Sequence, residues 1–183
     1  MVNCKGIDGS DLVACIGGFS GVPIKDPDGL LKRLASTSNV VVQLFDARRV
    51  AGSEHIFFAA VDAVRAFESG SAASRSLGME VLLYASCQDQ ISKALGIIGV
   101  SKGAHDVCML VMARDGEEAR IAFKDASELL GSADDSVLDI DDEKFTTLKE
   151  IYRVTDVELE AMGGRESLPD LIIERCALLA IRR

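Results

Sequence analysis

The residues that invite a chemical reading first are the thiols and imidazoles. Cys87 lies within YASCQDQISKALGIIGVS (84–101), where an apolar run closes at Ser86 and an amphipathic segment follows a polar pause. A cysteine between an apparent strand and a helix N-terminus is a candidate nucleophile, because the helix dipole favours the thiolate. Asp89 opposes that effect. The chain offers only His55 and His105 as imidazole bases, and a Cys87–His105 couple has no evident third group to orient the ring. The competing reading makes Cys87 a small, half-buried residue at the end of an apolar element.

Other chemistry is poorly served. A structural zinc site requires four Cys or His ligands at close spacing, which the sequence does not supply. The five cysteines (Cys4, Cys15, Cys87, Cys108, Cys176) contain no C-x-x-C pair. Three of them sit in apolar runs, as expected of reduced core thiols in a cytoplasmic protein. The cluster GGFSG (17–21) matches neither G-x-G-x-x-G nor G-x-x-x-x-G-K-[ST], and is expected to be a tight turn after the first strand rather than a phosphate cradle. SADDSVLDIDDEKF (132–145) lacks the spacing of a calcium loop and reads as a solvated acidic segment. No carboxylate pair is embedded in an apolar run that would raise its pKa. No cofactor or metal is expected, and no enzyme is announced.

A net charge of −9 over 183 residues excludes a protein that grips nucleic acid over its whole surface, but leaves room for a local basic patch. Arg65, Arg75, Lys93 and Lys102 are near one another in sequence and could hold a few phosphates, Arg75 bidentately; alternatively they are ordinary solvated surface. Apolar residues make up 48% of the chain and Trp is absent, so a sizeable aliphatic core is expected. No basic-then-apolar leader pattern opens the chain and no run is long enough to span a bilayer, which points to a cytoplasmic protein.

These side chains need elements to position them. Segments 12–19, 39–45 and 106–113 read as buried strands, and 79–86 leans the same way. KDPDGLLKRLAS (25–36) reads as a helix capped by Asp26 with Pro27 in its first turn. Further helices are expected over 53–67 and 91–98, the latter burying Ile91, Ala94, Leu95 and Ile98 on one face with Asp89 at its start. RDGEE (114–118) reads as a turn, with helical segments over 125–131, 142–152, 156–162 and 168–182. The pattern predicts one α/β (α+β) domain over 1–183, a small mixed or antiparallel central sheet flanked by several helices, rather than a doubly wound fold. The last helix, with Asp170 as its cap, is apolar over more than one face. Leu171, Ile172, Leu178 and Leu179 must therefore meet either more of this protein or another one.

The ordered set HIFFAAVDAVRAF, SRSLGMEVLLYAS, QISKALGIIGVS and DVCMLVM, followed by LKEIYRVTDVELEAMGG and LIIERCALLAI, resembles the kinase-binding small subunit of the KEOPS (EKC) tRNA-modification complex, the PRPK-binding (TPRKB-like) family, in its archaeal form. The resemblance covers most of the chain and is weakest over 1–38 and 115–140. It implies a non-catalytic cytoplasmic subunit that docks on a Bud-type atypical kinase/ATPase. It also implies help in recruiting tRNA, through the single-stranded 3′ CCA end, for N6-threonylcarbamoyladenosine formation at position 37. On that reading Arg65, Arg75, Gln90, Lys93 and Lys102 are tRNA-binding candidates. Leu171, Ile172, Leu178 and Leu179 become kinase-docking candidates, and other KEOPS subunits are met indirectly. Family members often carry another basic residue just ahead of the Arg75 position, where this chain has Ala72-Ala73. The rival is a small cytosolic enzyme or ligand-binding protein using Cys87. A weaker third reading is self-association through the last helix.

Overall fold

The computed structural model describes residues 3–35 and 40–182. Ser36 and Asn39, which fall in the expected first helix and second strand, lie outside the described residues. The chain divides into two units, each assembled from two stretches: Met1–Ala47 with Gly99–Val137, and Arg48–Ile98 with Leu138–Arg183.

In the first unit, β1 (Asn3–Gly6), β2 (Val13–Ile24), β3 (Val41–Asp46) and β4 (Gly103–Ala113) form a sheet in the order β1-β2-β4-β3. Every pairing is antiparallel, so the α+β expectation holds with the antiparallel form of the sheet. The period-two alternation puts Cys15, Phe19, Val42, Leu44, Val107, Met109 and Val111 into one core with residues of α1 (Pro27–Leu34) and α5 (Gly116–Leu130). Ala14, Ile16, Phe45, Cys108, Leu110 and Met112, on the other face, are buried as well, which is why these strands read as continuous apolar runs. Asp26 caps α1 by accepting from the Gly29 N–H at 3.1 Å, with Pro27 in the first turn, as its sequence predicts.

GGFSG is not a turn. It lies inside β2, whose register against β4 shifts between Phe19 and Val22, a bulge that Gly21 enters at φ 61°. Gly17 and Gly18 are there because neighbours come close. A Cβ on Gly17 would sit 2.7 Å from the Phe123 ring, and one on Gly18 2.6 Å from the Asp134 carbonyl oxygen. The acidic segment is also more than solvated surface. The Asp135 carboxylate accepts from the Gly18 N–H at 2.9 Å, and the Asp134 N–H donates to the Gly18 carbonyl at 2.8 Å. RDGEE begins α5 instead of forming a separate turn. Asp115 caps the Glu117 N–H, and Glu117 and Glu118 occupy the first turn, where the helix dipole favours acids. Cys4 and Cys15 face each other across β1 and β2 and form a disulfide, which corrects the expectation of a reduced core thiol for Cys15 in its apolar run; Cys87, Cys108 and Cys176 are outside any disulfide. Cross-strand register, not local spacing, brings that pair together.

The second unit is helical: α2 (Ser53–Glu68), α3 (Leu77–Ala85), α4 (Ile91–Ile98), α6 (Asp142–Tyr152), α7 (Asp156–Met162), α8 (Leu168–Ala177) and α9 (Leu179–Arg182). The expected strand over 79–86 is therefore a helix. Met, Leu and Glu are good helix formers, and α3 is apolar almost all round because it is buried almost all round. α2 packs on α3 and α8, and α3 also meets α4. The stripe expected of α4 is half as wide as predicted: Ala94 and Ile98 are buried, but Ile91 and Leu95 are each 42% exposed. The terminal helix breaks at Leu178 instead of running unbroken to 182, and Asp170 sits in its first turn rather than capping it; Ser167 holds the N-cap position.

Candidate functional site

The end of α3 sets the local geometry. The Cys87 N–H donates to the Tyr84 carbonyl at 2.9 Å and the Gln88 N–H to the Leu83 carbonyl at 3.0 Å, a complete Schellman closure. Cys87 occupies the left-handed position of that motif, φ 54°, where glycine is usual and an L side chain costs about 1 kcal/mol. This conformation places the Cys87 sulfur 3.4 Å from the sulfur of Cys176 on α8. Behind that pair lies a buried polar network. The Ala51 N–H donates to His55 Nδ1 at 3.1 Å, so His55 carries its proton on Nε2 and donates to the Ala85 carbonyl at 2.9 Å. The Tyr152 hydroxyl reaches the same carbonyl at 2.9 Å and the Arg49 carbonyl at 3.1 Å. Cys176 Sγ is 3.5 Å from His55 Nε2.

Burial lowers the His55 pKa to about 4, partly offset by its bond to Ala85 and reinforced by the charge of Lys144. The Tyr152 hydroxyl is pushed well up, mainly by burial. Between the thiols, hydrogen bonding from Cys176 favours the Cys87 thiolate, which Arg182 and Arg175 also attract, while Cys176 is held firmly as the thiol. The imidazole in contact with this pair is His55; His105 belongs to the first unit, where its Nε2 bonds Ser101 Oγ at 3.2 Å. Because the Nδ1 lone pair of His55 is committed to Ala51, neither ring nitrogen is free to take a proton from a thiol. That removes His55 as the base of a Cys–His couple.

Cys87 opens onto a cleft of about 560 Å³ whose lining carries Lys93, Arg153, Arg175 and Arg182 against a single carboxylate, Asp89. Arg153 closes α6 in the left-handed conformation, φ 53°. Arg175 is steadied by Glu158 at 2.6 Å. Four cations face two carboxylates, Asp89 on the lining and Glu158 against Arg175, so the cleft carries a net positive charge in an acidic chain.

Of the RNA candidates, Lys93 lines the cleft, whereas Arg65, Arg75 and Gln90 are exposed on the same unit outside its lining. Lys102 belongs to the first unit, just before β4. Arg65 lies 3.9 Å from Asp62. The segment leading to Arg75 is held from below: the buried Glu80 carboxylate accepts from the Ser74 N–H at 2.8 Å and the Ala73 N–H at 3.3 Å. Sequence reasoning missed Arg153, Arg175 and Arg182, which lie some sixty to ninety residues from Lys93 and carry no local motif.

The four docking candidates separate. Leu171, Ile172 and Leu179 are buried, Leu171 and Ile172 in a core with Leu148, Tyr152, Leu159 and Cys176, so these three side chains are not an outward face. Leu178 is 38% exposed, and Ile181, which the sequence reading did not single out, is 79% exposed. Among the described residues no group of three or more His, Cys, Asp or Glu is placed to hold a metal ion, and no helix is long and apolar enough to cross a membrane.

A family model described as "Kinase binding protein CGI-121" matches residues 19–180. The chain is also similar to the "Regulatory protein Cgi121" of Methanocaldococcus jannaschii, 29% identical over 142 residues that span 77% of this chain and 84% of the relative.

Proposed function

Because the chain belongs to the CGI-121 family of kinase-binding proteins, we propose that it is a non-catalytic, cytoplasmic accessory subunit of a KEOPS-type assembly. In this reading it docks on a Bud-type kinase/ATPase and helps present the 3′ CCA end of tRNA for N6-threonylcarbamoyladenosine formation at position 37. The observation that carries the RNA half is the convergence of Lys93, Arg153, Arg175 and Arg182 on one cleft. Arg75 extends the basic surface from a loop that Glu80 fixes. Phosphates of a single strand would neutralise these cations, with bases free to stack or bond at their edges.

The RNA test compares intact tRNA with tRNA trimmed of its CCA end. Lys93→Glu and Arg182→Glu should each weaken binding of the intact form, and trimming should do the same. The four cleft cations and Arg75 limit the slope of log K against log salt to about −3.5. Equal affinity for the two tRNAs would remove the CCA reading. For docking, Leu178 and Ile181 are large apolar side chains that the C-terminal segment exposes to solvent. Leu178→Glu with Ile181→Glu should abolish co-purification with the kinase without unfolding the protein. Undiminished co-purification would move the kinase surface elsewhere. An enzyme working through a Cys87–His55 couple is disfavoured, since His55 cannot serve as its base.

A further inference from the structure

Two thiols in this chain are close enough to react with each other, and neither the family nor the RNA reading uses them. The sulfurs of Cys87 and Cys176 are 3.4 Å apart, so bonding requires an approach of about 1.4 Å. One of the pair is reachable and the other is not. Cys87 lines an open cleft, whereas Cys176 is buried. Arg175 and Arg182 line that cleft too, and nearby cations favour the thiolate form of a cysteine. A low-pKa accessible thiol beside a second, protected thiol is the arrangement of an attacking and a resolving cysteine. Cys108, by contrast, is buried within β4.

We propose that Cys87 and Cys176 are a reversible dithiol–disulfide modification site, with a hydroperoxide as the oxidant and Cys87 as the attacking sulfur. The Cys87 thiolate attacks the terminal oxygen of R–O–O–H. The O–O bond breaks, the departing alkoxide takes a proton from water, and Cys87 becomes the sulfenic acid, oxidised by two electrons. The Cys176 sulfur then displaces the hydroxyl group, which leaves with the Cys176 proton as water, and the S–S bond forms. The product ties the cap of α3 to the C-terminal turn of α8 and removes a titratable thiol from the cation-lined cleft. A thiol reductant restores both thiols.

The test treats the full-length protein with hydrogen peroxide at neutral pH and maps its peptides without reduction. Wild type should lose two of its three free thiols and yield a Cys87–Cys176 linked peptide, lighter by two hydrogens and reversed by dithiothreitol. Cys176→Ala should instead accumulate sulfenic acid on Cys87, trapped as a dimedone adduct. Cys87→Ser should keep Cys176 as a thiol. Survival of both thiols at a peroxide dose that oxidises glutathione in the same tube would overturn the proposal, as would linkage of Cys87 to any other cysteine. Should Cys176→Ala fail to fold, the wild-type map and Cys87→Ser decide the matter, because Cys87 is only partly buried.

Discussion

Acidification should expose the cost of keeping His55 neutral. In the folded chain both ring nitrogens are engaged, Nδ1 as acceptor and Nε2 as donor, and a proton added to Nδ1 would confront the Ala51 N–H. The folded pKa is about 4, against about 6.5 for an unfolded histidine. Between those values the unfolded chain binds the extra proton and the folded chain does not, so stability falls as pH falls. The full difference of two and a half units corresponds to about 3.4 kcal/mol at 1.36 kcal/mol per unit; about 2 kcal/mol of it is lost by pH 5 and about 3 by pH 4. Above pH 6.5 the contribution is complete. Urea unfolding of wild type and His55→Gln at several pH values isolates this group, because carboxylate titrations are common to both. The wild-type curve should drop about 2 kcal/mol further than the variant's between pH 8 and pH 5. Parallel curves would refute the reasoning, and so would a His55 ring titration near pH 6.5 by NMR. That second measurement is practical in a chain with two histidines.

Three further outcomes follow from particular contacts. Gly18→Ala should cost roughly 1–3 kcal/mol in chemical denaturation, because its Cβ meets a backbone oxygen at 2.6 Å that cannot rotate away; a neutral result would mean the acidic segment yields easily. Arg153→Gly should gain about 1 kcal/mol by relieving the left-handed backbone of an exposed side chain, while weakening any anion in the cleft. Glu80→Ala should leave the Ala73 and Ser74 amides without their carboxylate, cost about 1–3 kcal/mol, and speed tryptic cleavage after Arg75; unchanged cleavage would show that the loop is held by other means.

Where local chemistry decides an element, it was readable in advance. Asp26 and Pro27 mark α1, and the bounds of α6 and α7 match the expected 142–152 and 156–162, each beginning after an acceptor side chain, Asp141 or Thr155. Where burial decides, the sequence is degenerate. The run MEVLLYAS carries no period, because a helix with few exposed positions shows neither the 3.6 nor the 2 alternation. β1 is four residues including Lys5 and Gly6, too short and polar to stand out, and it is a strand because β2 supplies its partner. The site follows the same rule. Lys93 could be picked from its neighbours in sequence, but the arginines across the cleft arrive from α6, α8 and α9. Likewise the Cys87–Cys176 contact joins residues 89 positions apart, and no spacing rule reaches that far.

The interleaved construction of the two units constrains how the chain can be born and cut. β2 finds its main partner, β4, about ninety residues downstream, and the helical unit is interrupted by that same strand before α6 and α8 complete it. During synthesis neither unit can close on the first hundred residues alone. The sheet waits for β4, and α2 and α3 wait for α8, so the newly made N-terminal half carries apolar surface with nothing yet to cover it. No single cleavage point separates one unit intact from the other. Fragments chosen by position along the sequence should aggregate, whereas joining Ala47 to Gly99 through a short linker would reunite the sheet unit's own two stretches.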